Sequence, residues 1–371
     1  NPPGELLEIT EQGNPRSYLS RAANMTKESL IQPYGIAADN NFYMTNHQDL
    51  IFVPEVELKD NQRMAEENPV RVEVERAVAK VVVSGVPEVV PHGDRIDNLK
   101  WGLDVTNQYT YWMRKMTFIA NSGGVPGEME QLNSGYREER YAEDPNFTGF
   151  SAWNGGNPAG QFEYLSGTPE LTKDFDDYDY TLENTMEAVE QRHDVTTRVV
   201  ISGTYTPNGF GSVATRNSGG ISFYYFKGNA IRVEAMRDMV NDRNLIPQEL
   251  RDAGLEQAIN DVLAWNPNAF NSPTASFSVG GLNFYYEGVC YYTVLIRHFS
   301  NNMVPVLMGY GRYGVVRNNV YQLSINKIIG PGQPVINPPG TDPDDEDTSW
   351  ISADVNIMRW YIRNQNVEEL L

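Results

Sequence analysis

The chain has 371 residues, of which 40% are hydrophobic and 21% charged, and 49 acidic against 29 basic side chains give a net charge of −20. This apolar content supports packed cores and excludes a wholly disordered chain. The negative charge argues against nucleic acid or an anionic membrane surface as partner, because both bind clustered cations. No apolar run reaches the roughly 20 residues of a membrane-spanning helix.

Strand patterns dominate the N-terminal half. Residues 1–40 contain no useful alternating apolar run, so the first strand of a β-sandwich is expected to be missing there. Short strand patterns follow within residues 42–58, and a longer alternation runs from Val70 to Val83. Its parity changes near Arg76, which predicts a bulge or a bend. Residues 120–180 are rich in Gly, Asn, Pro and Asp and are expected to form long loops.

A second series of strands begins at Thr196, which places a domain boundary near residue 187. Ile246-Pro247 is expected to begin the one clear helix, which ends before Asn266. Strand patterns then continue from Phe277 to Ile329. The chain is therefore predicted to be all-β, with antiparallel β-sandwich domains and one or two short helices. The predicted divisions are residues 1–187, 188–337 and 338–371.

The C-terminal part is the most informative feature of the sequence. Two Pro-Gly clusters, within residues 330–340, break regular structure. The acidic run from Thr341 to Asp347 is expected to be a solvated spacer that stays extended by self-repulsion. After it, apolar and polar residues alternate and predict an amphipathic strand. The apolar residues of this strand and its continuation are Ile351, Ala353, Val355, Ile357, Trp360 and Ile362.

A lone amphipathic strand needs a partner for its backbone groups. It could fold back as an edge strand of its own domain, or it could complete a sheet of another subunit. The strand missing from residues 1–40 would leave the acceptor groove. Burial of each large apolar side chain would contribute about 1.5–3 kcal/mol. Because each subunit would give one strand and accept one, the contact would not close and would build filaments.

Motifs for catalysis and metal binding are sparse. Cys290, the only cysteine, lies in an apolar run and is expected to be a buried thiol rather than a nucleophile. The aspartates from Asp174 to Asp179 lack the glycine of a calcium-binding loop, which favours a solvated loop. The histidines have no metal-binding spacing and are His47, His92, His193 and His298. We therefore predict no catalytic, cofactor or metal site, and no enzyme.

Several short motifs resemble the fimbrillins of Bacteroidales type V pili. They are Phe42 to Asn46, Asn68 to Val70, Val74 to Val81, Leu182 to Thr185, Cys290 to Tyr292, Ile296 to Phe299 and Val316 to Tyr321. The resemblance covers nearly the whole chain. It is greatest to the shaft subunits of the short, or minor, fimbriae of Porphyromonas.

The resemblance implies two transthyretin-like sandwiches in tandem and a C-terminal donor strand. It implies a precursor exported as a lipoprotein and trimmed after an arginine, then a fimbria on the outer membrane that supports adhesion, biofilm formation and virulence. The implied partners are further copies of the chain, accessory tip and anchor proteins, and host or bacterial surface receptors. Arg16 and Arg21 are candidates for further arginine-specific cleavage, or ordinary loop arginines.

Two classes of function stay open at this point. The first is a structural shaft subunit that polymerises head to tail through its C-terminal strand. The second is a monomeric surface adhesin or glycan-binding module whose C-terminal strand pairs within its own chain. The 11% aromatic residues could include a sugar-stacking platform or could be ordinary core residues. A carboxylate-dependent hydrolase has no positive support in the sequence.

Overall fold

A computed structural model describes part of the chain. The described residues are 25–26, 44–46, 59–70, 72–111, 144–147, 158, 160–211, 220–298, 311–346, 351–359 and 363–365. They are mostly β-sheet with few helices, so the predicted class is confirmed at that level.

The strands and helices follow in chain order. The strands are β1 (Met25–Thr26), β2 (Met44–Asn46), β3 (Val72–Arg76), β4 (Ala79–Ser84), β5 (Glu88–Val90), β6 (Arg95–Asp104), β7 (Thr106–Asn107), β8 (Tyr109–Thr110), β9 (Phe162–Glu163), β10 (Tyr178–Thr181), β11 (Arg198–Thr206), β12 (Phe223–Phe226), β13 (Asn229–Arg232), β14 (Phe277–Val279), β15 (Leu282–Tyr285), β16 (Val289–Leu295), β17 (Asn319–Ile329), β18 (Ile351–Arg359) and β19 (Arg363–Gln365). The α-helices are α1 (Gln62–Glu67), α2 (Val233–Asn241), α3 (Gln248–Asp252) and α4 (Leu255–Trp265). Single 3-10 turns occur at Pro145–Phe147, Ala188–Glu190, Arg243–Leu245, Tyr286–Gly288 and Asp344–Glu346.

Two sheets pack face to face and form the main sandwich. One has the order β10-β4-β17-β18, with β5 also pairing with β17, and the other has the order β16-β11-β6. Along β4 and β17 of the first sheet, buried and half-buried residues alternate, so one face of that sheet lies against the core. The central core residues include Val81, Trp101, Ile201, Tyr292, Leu323 and Ile325.

Strands that are far apart in the sequence pair with each other in these two sheets. β17 runs parallel to β4 and β5 but antiparallel to β18, so this sheet is mixed rather than purely antiparallel as predicted. β6, from the N-terminal half, pairs with β11 from the C-terminal half. The predicted boundary near residue 187 therefore does not divide this sandwich. Alternation identifies a strand, whereas long-range packing decides its partner.

A third sheet lies between the sandwich and the helices. Its order is β13-β12-β15-β14, and all its pairs are antiparallel. Phe223 and Tyr285 point into the sandwich core with ring centroids 4.8 Å apart. Their neighbours in the sequence, Tyr224 and Phe284, point to the opposite face of the sheet. There they pack in the core shared with α2 and α4. The two faces of this sheet thus join the helices to the sandwich.

The helical region partly matches the sequence-based expectation. The helix expected after Ile246-Pro247 is present as α3 and α4, with Gly254 between them at φ 93°. This left-handed backbone conformation favours glycine and breaks the helix in two. The sequence analysis missed α2, whose buried residues are Met236 and Met239.

The parity change near Arg76 marks the end of a strand. β3 ends at Arg76, and β4 begins at Ala79 in a different sheet. The predicted bend is therefore confirmed. β3 lies between β2 and β19 in a small three-stranded sheet. Further two-stranded pairs are β1 with β8 and β7 with β9.

Candidate functional site

The C-terminal strand lies at the edge of the mixed sheet. β18 is nine residues long and pairs with β17 from Ile351 opposite Ile328 to Arg359 opposite Asn319. The register shifts once, after Ile325. Among the described strands, β18 has a partner on one side only. β17 is therefore the strand that would become an edge if β18 moved away.

The two faces of β18 differ as the alternation predicted. Ala353 and Val355 are half-buried and pack against the sandwich core. Asp354, between them, is exposed and accepts a hydrogen bond of 2.8 Å from Asn326 Nδ2. Met358 is 43% exposed. In this structure the strand thus completes the sheet of its own chain.

The other predicted donor residues lie within or beyond this strand. Ile351 and Ile357 belong to β18, where Ile357 is opposite Tyr321. Trp360 and Ile362 lie outside the described residues. Beyond them, β19 pairs antiparallel with β3, with Arg363 opposite Val74. The C-terminal part is therefore held at two places, and strand donation to a neighbour stays a prediction.

A turn held by tyrosine hydrogen bonds follows β17. Tyr292 Oη donates to Gly330 O over 2.9 Å, and Tyr285 Oη donates to Gly332 O over 2.5 Å. A Cβ on Gly332 would lie 2.2 Å from Tyr291 O, so only glycine fits there. The predicted break in regular structure is confirmed, and it is a fixed turn rather than a loose one.

The acidic run is docked on the protein, contrary to the solvated spacer predicted for it. We call residues 342–346 the acidic anchor. Asp344 is 2% exposed, and its Oδ2 accepts a 2.6 Å hydrogen bond from Thr196 Oγ1. Asp345 accepts hydrogen bonds from Arg312 Nε at 2.9 Å and Tyr313 Oη at 2.7 Å. The sequence-based prediction was wrong here because the partners lie far away in the chain.

Backbone hydrogen bonds complete the docking of the acidic anchor. His193 N donates to Asp342 O over 3.1 Å, and Asp344 N donates to Gln191 O over 3.2 Å. Burial raises the pKa of Asp344 to about 7, and Asp345 and Asp194 act in the same direction. The chain is therefore fixed to its own body just before β18 begins.

Two of the motifs that carry the family resemblance meet in a buried polar junction. Arg317 Nε lies 3.3 Å from Glu183 Oε2, and both side chains are at most 3% exposed. Arg317 also donates to Thr110 Oγ1 over 3.0 Å and to Tyr111 O over 3.1 Å. The sequence analysis gave these charges no role. Each charge directly follows an apolar residue in the sequence, which was the available signal, because buried charges need partners.

The remaining candidates behave as structural residues. Cys290 is fully buried, and burial raises the pKa of its thiol to about 12, which confirms the inert thiol. His298 is buried with its Nδ1 2.6 Å from Tyr321 Oη. Asp174 forms an exposed ion pair of 2.6 Å with Lys100. His92 is exposed, and His193 bonds to the acidic anchor through its backbone N–H.

Several predicted features lie outside the described residues. They include Arg16, Arg21 and His47. Within the described ranges, no three His, Cys, Asp or Glu side chains are grouped so that they could hold a metal ion. The same ranges contain no helix with the length and apolar character needed to cross a membrane.

The chain has low similarity to several solved structures of bacterial proteins. A fimbrillin from Porphyromonas gingivalis has 16% sequence identity and a TM-score of 0.34, and the alignment covers 79% of this chain and 60% of that one. A candidate cell adhesion protein from Parabacteroides distasonis has 13% identity and a TM-score of 0.30, with 78% and 60% covered. Another, from Bacteroides eggerthii, has 12% identity and a TM-score of 0.27, with 78% and 57% covered. The chain thus spans less than two thirds of the length of these structures.

One family model matches the C-terminal part of the chain. A search of curated proteins finds no match to the chain. Residues 283–366 match the family model described as major fimbrial subunit protein type IV, fimbrillin, C-terminal. This stretch contains β16, β17, the acidic anchor, β18 and β19. The part of the chain that holds the candidate site is therefore similar to the C-terminal domain of the fimbrillins.

Proposed function

We propose that the chain is a structural shaft subunit of a cell-surface fimbria, joined head to tail through its C-terminal strand. The observation that carries this proposal is the fimbrillin match over residues 283–366, which includes the whole of β18. The edge position of β18 and its single apolar face also support it. A strand of this kind can pair with its own sheet or with an equivalent sheet elsewhere.

The pairing of β18 with β17 would represent the subunit before assembly. Exchange of one strand between identical chains replaces a contact by an equivalent one, so exchange alone yields little free energy. An open acceptor groove would supply the driving force. We propose that proteolytic removal of an N-terminal strand opens this groove, with Arg16 and Arg21 as candidate cleavage positions.

The pairing in the structure would also keep the subunit from assembling too early. Release of β18 breaks a ladder whose hydrogen bonds contribute about 0.5–1.5 kcal/mol each. It also exposes the packed faces of Ala353 and Val355. Assembly would therefore wait until a better acceptor is available.

The wider setting follows from the same proposal. The precursor would be exported as a lipoprotein, and the filament would be attached to the outer membrane. Accessory tip and anchor proteins would join the shaft, and host or bacterial surface receptors would bind the filament. Adhesion, biofilm formation and virulence would be the outcomes that the filament supports.

Removal of the C-terminal residues tests the proposal. We expect the full chain to form fibres, and a chain without residues 348–371 to stay folded and monomeric. Electron microscopy gives the result, and circular dichroism checks that both chains are folded. Fibres formed by the shortened chain would show that this strand is not the joint.

The second candidate function is a monomeric surface adhesin. The pairing of β18 with β17 in the same chain favours it, because a self-paired strand needs no neighbour. The same experiment separates the two proposals. If neither chain forms fibres and both are well folded, the adhesin is the better account.

A further inference from the structure

The acidic anchor holds a carboxyl group with an incomplete set of partners. Asp344 is buried, and its Oδ2 is bonded to Thr196 Oγ1 at 2.6 Å. Among the described residues, no hydrogen-bond donor reaches its Oδ1. A buried carboxylate is stable only when its charge is compensated, whereas a neutral carboxylic acid needs no counter-ion.

The cations near Asp344 are already engaged by other carboxylates. Arg192 Nη2 lies 2.8 Å from Asp194, and Arg198 Nη2 lies 2.6 Å from Asp104. Arg312 Nε lies 2.8 Å from Asp345 in the acidic anchor itself. Each of these three arginines is thus already paired with a carboxylate other than Asp344.

The remaining charged and titratable groups around the anchor are few. Tyr313 bonds to Asp345, and burial raises its pKa to about 12, so it stays neutral at physiological pH. His193 packs against Asp342 through its backbone N–H. Asp194 and Asp345 add negative charge close to Asp344. The net effect of the surroundings is to favour a proton on Asp344.

We propose that the acidic anchor is a proton-dependent latch at the root of the C-terminal strand. With Asp344 neutral, residues 342–346 dock and fix the point from which β18 departs. With Asp344 ionised, docking weakens and the start of the strand gains freedom. This regulation rests on the proposed function, because the freedom of β18 matters to assembly only if the strand is exchanged.

The direction of the pH dependence follows from the two states of the group. Free Asp344 would lose its proton near the ordinary aspartate pKa of 3.8, whereas the docked group holds its proton up to about pH 7. Docking therefore takes up a proton between these values. The latch is strongest at acidic pH and loses strength as the pH rises toward 7.

Hydrogen exchange on the full chain tests the latch without any need for fibres. The reporters are the amides of His193 and Asp344, which bond across the docked contact. After correction for intrinsic rates, we expect their protection to fall at least tenfold between pH 5 and pH 8. Amides in the centre of β11 serve as the internal reference and should not change.

Two matched variants assign the effect to one residue. Asp344→Asn keeps an acceptor for Thr196 but cannot ionise, so it should stay docked with pH-independent protection. Asp342→Asn removes the same charge from an exposed position and should retain the wild-type pH dependence. An unchanged pH dependence in Asp344→Asn, or none in the wild type, would overturn the latch. A chain that shows the latch and forms no fibres would overturn only the proposed function.

Discussion

Arg317 and Glu183 show how single residues hold distant parts of this chain together. The guanidinium group also bonds to Thr110 and Tyr111, so one side chain joins three segments. Removal of one partner of such a buried pair leaves the other charge unpaired in a site that excludes water. Removal of one partner is therefore expected to destabilise the fold by more than the intact pair stabilises it.

We expect Arg317→Ala to lower the free energy of unfolding by about 3–5 kcal/mol, since Glu183 would stay buried and lose the guanidinium group that compensates its charge. Lys100→Ala is the control, because it breaks an ion pair with Asp174 that is shorter but exposed. That change should cost no more than about 1 kcal/mol. Urea unfolding gives both values. Equal losses in the two variants would contradict a structural role for the junction.

For single residues, the composition of the local sequence predicted burial correctly in some cases and wrongly in others. The apolar run around Cys290 correctly indicated a buried thiol, because burial there depends on immediate neighbours. The acidic run around Asp344 indicated solvent, and the structure buries that residue against Thr196. Local sequence cannot show a partner that folding brings from far along the chain.

The C-terminal strand illustrates the same limit for an element. Alternation of apolar and polar residues predicted β18 correctly as an amphipathic strand. Its register on β17 follows from the apolar face, since a shift by one residue would turn Val355 to solvent. Alternation does not identify which sheet the strand joins, and a strand able to pair in either place is the basis of the proposed exchange.

We expect Val355→Asp to detach β18 from β17 while the sandwich stays folded. The new carboxylate would face the core opposite Leu323, at a position that is half-buried. Hydrogen-exchange protection in residues 351–359 should fall at least tenfold, because a charge in the core has no partner. Asp354→Ser, on the exposed face, should leave protection nearly unchanged. Similar protection in both variants would show that the apolar face does not hold the strand.

The whole molecule depends on pairings between distant parts of the sequence. β4 pairs with β17, and β6 pairs with β11, so one core unites both halves of the chain. Strand existence was predictable from the alternation around Val81 and from the continuous apolar run that ends at Ile201. The parallel pairing and the shared sandwich were not, because they depend on contacts of long sequence separation.

In the proposed assembly, β18 must leave β17 before the chain can join a neighbour. A disulfide between Ser324→Cys and Asp354→Cys tests it, since these residues are directly opposite in the two strands. Native Cys290 is buried and does not compete. The single variant Asp354→Cys is the control.

Electron microscopy then compares the oxidised and reduced double variant under assembly conditions. We predict that the oxidised chain stays monomeric, and that reduction of the disulfide restores fibres equal to those of the control. Fibres formed by the oxidised chain as readily as by the reduced one would contradict strand exchange, because the strand would then be joined to its own sheet throughout.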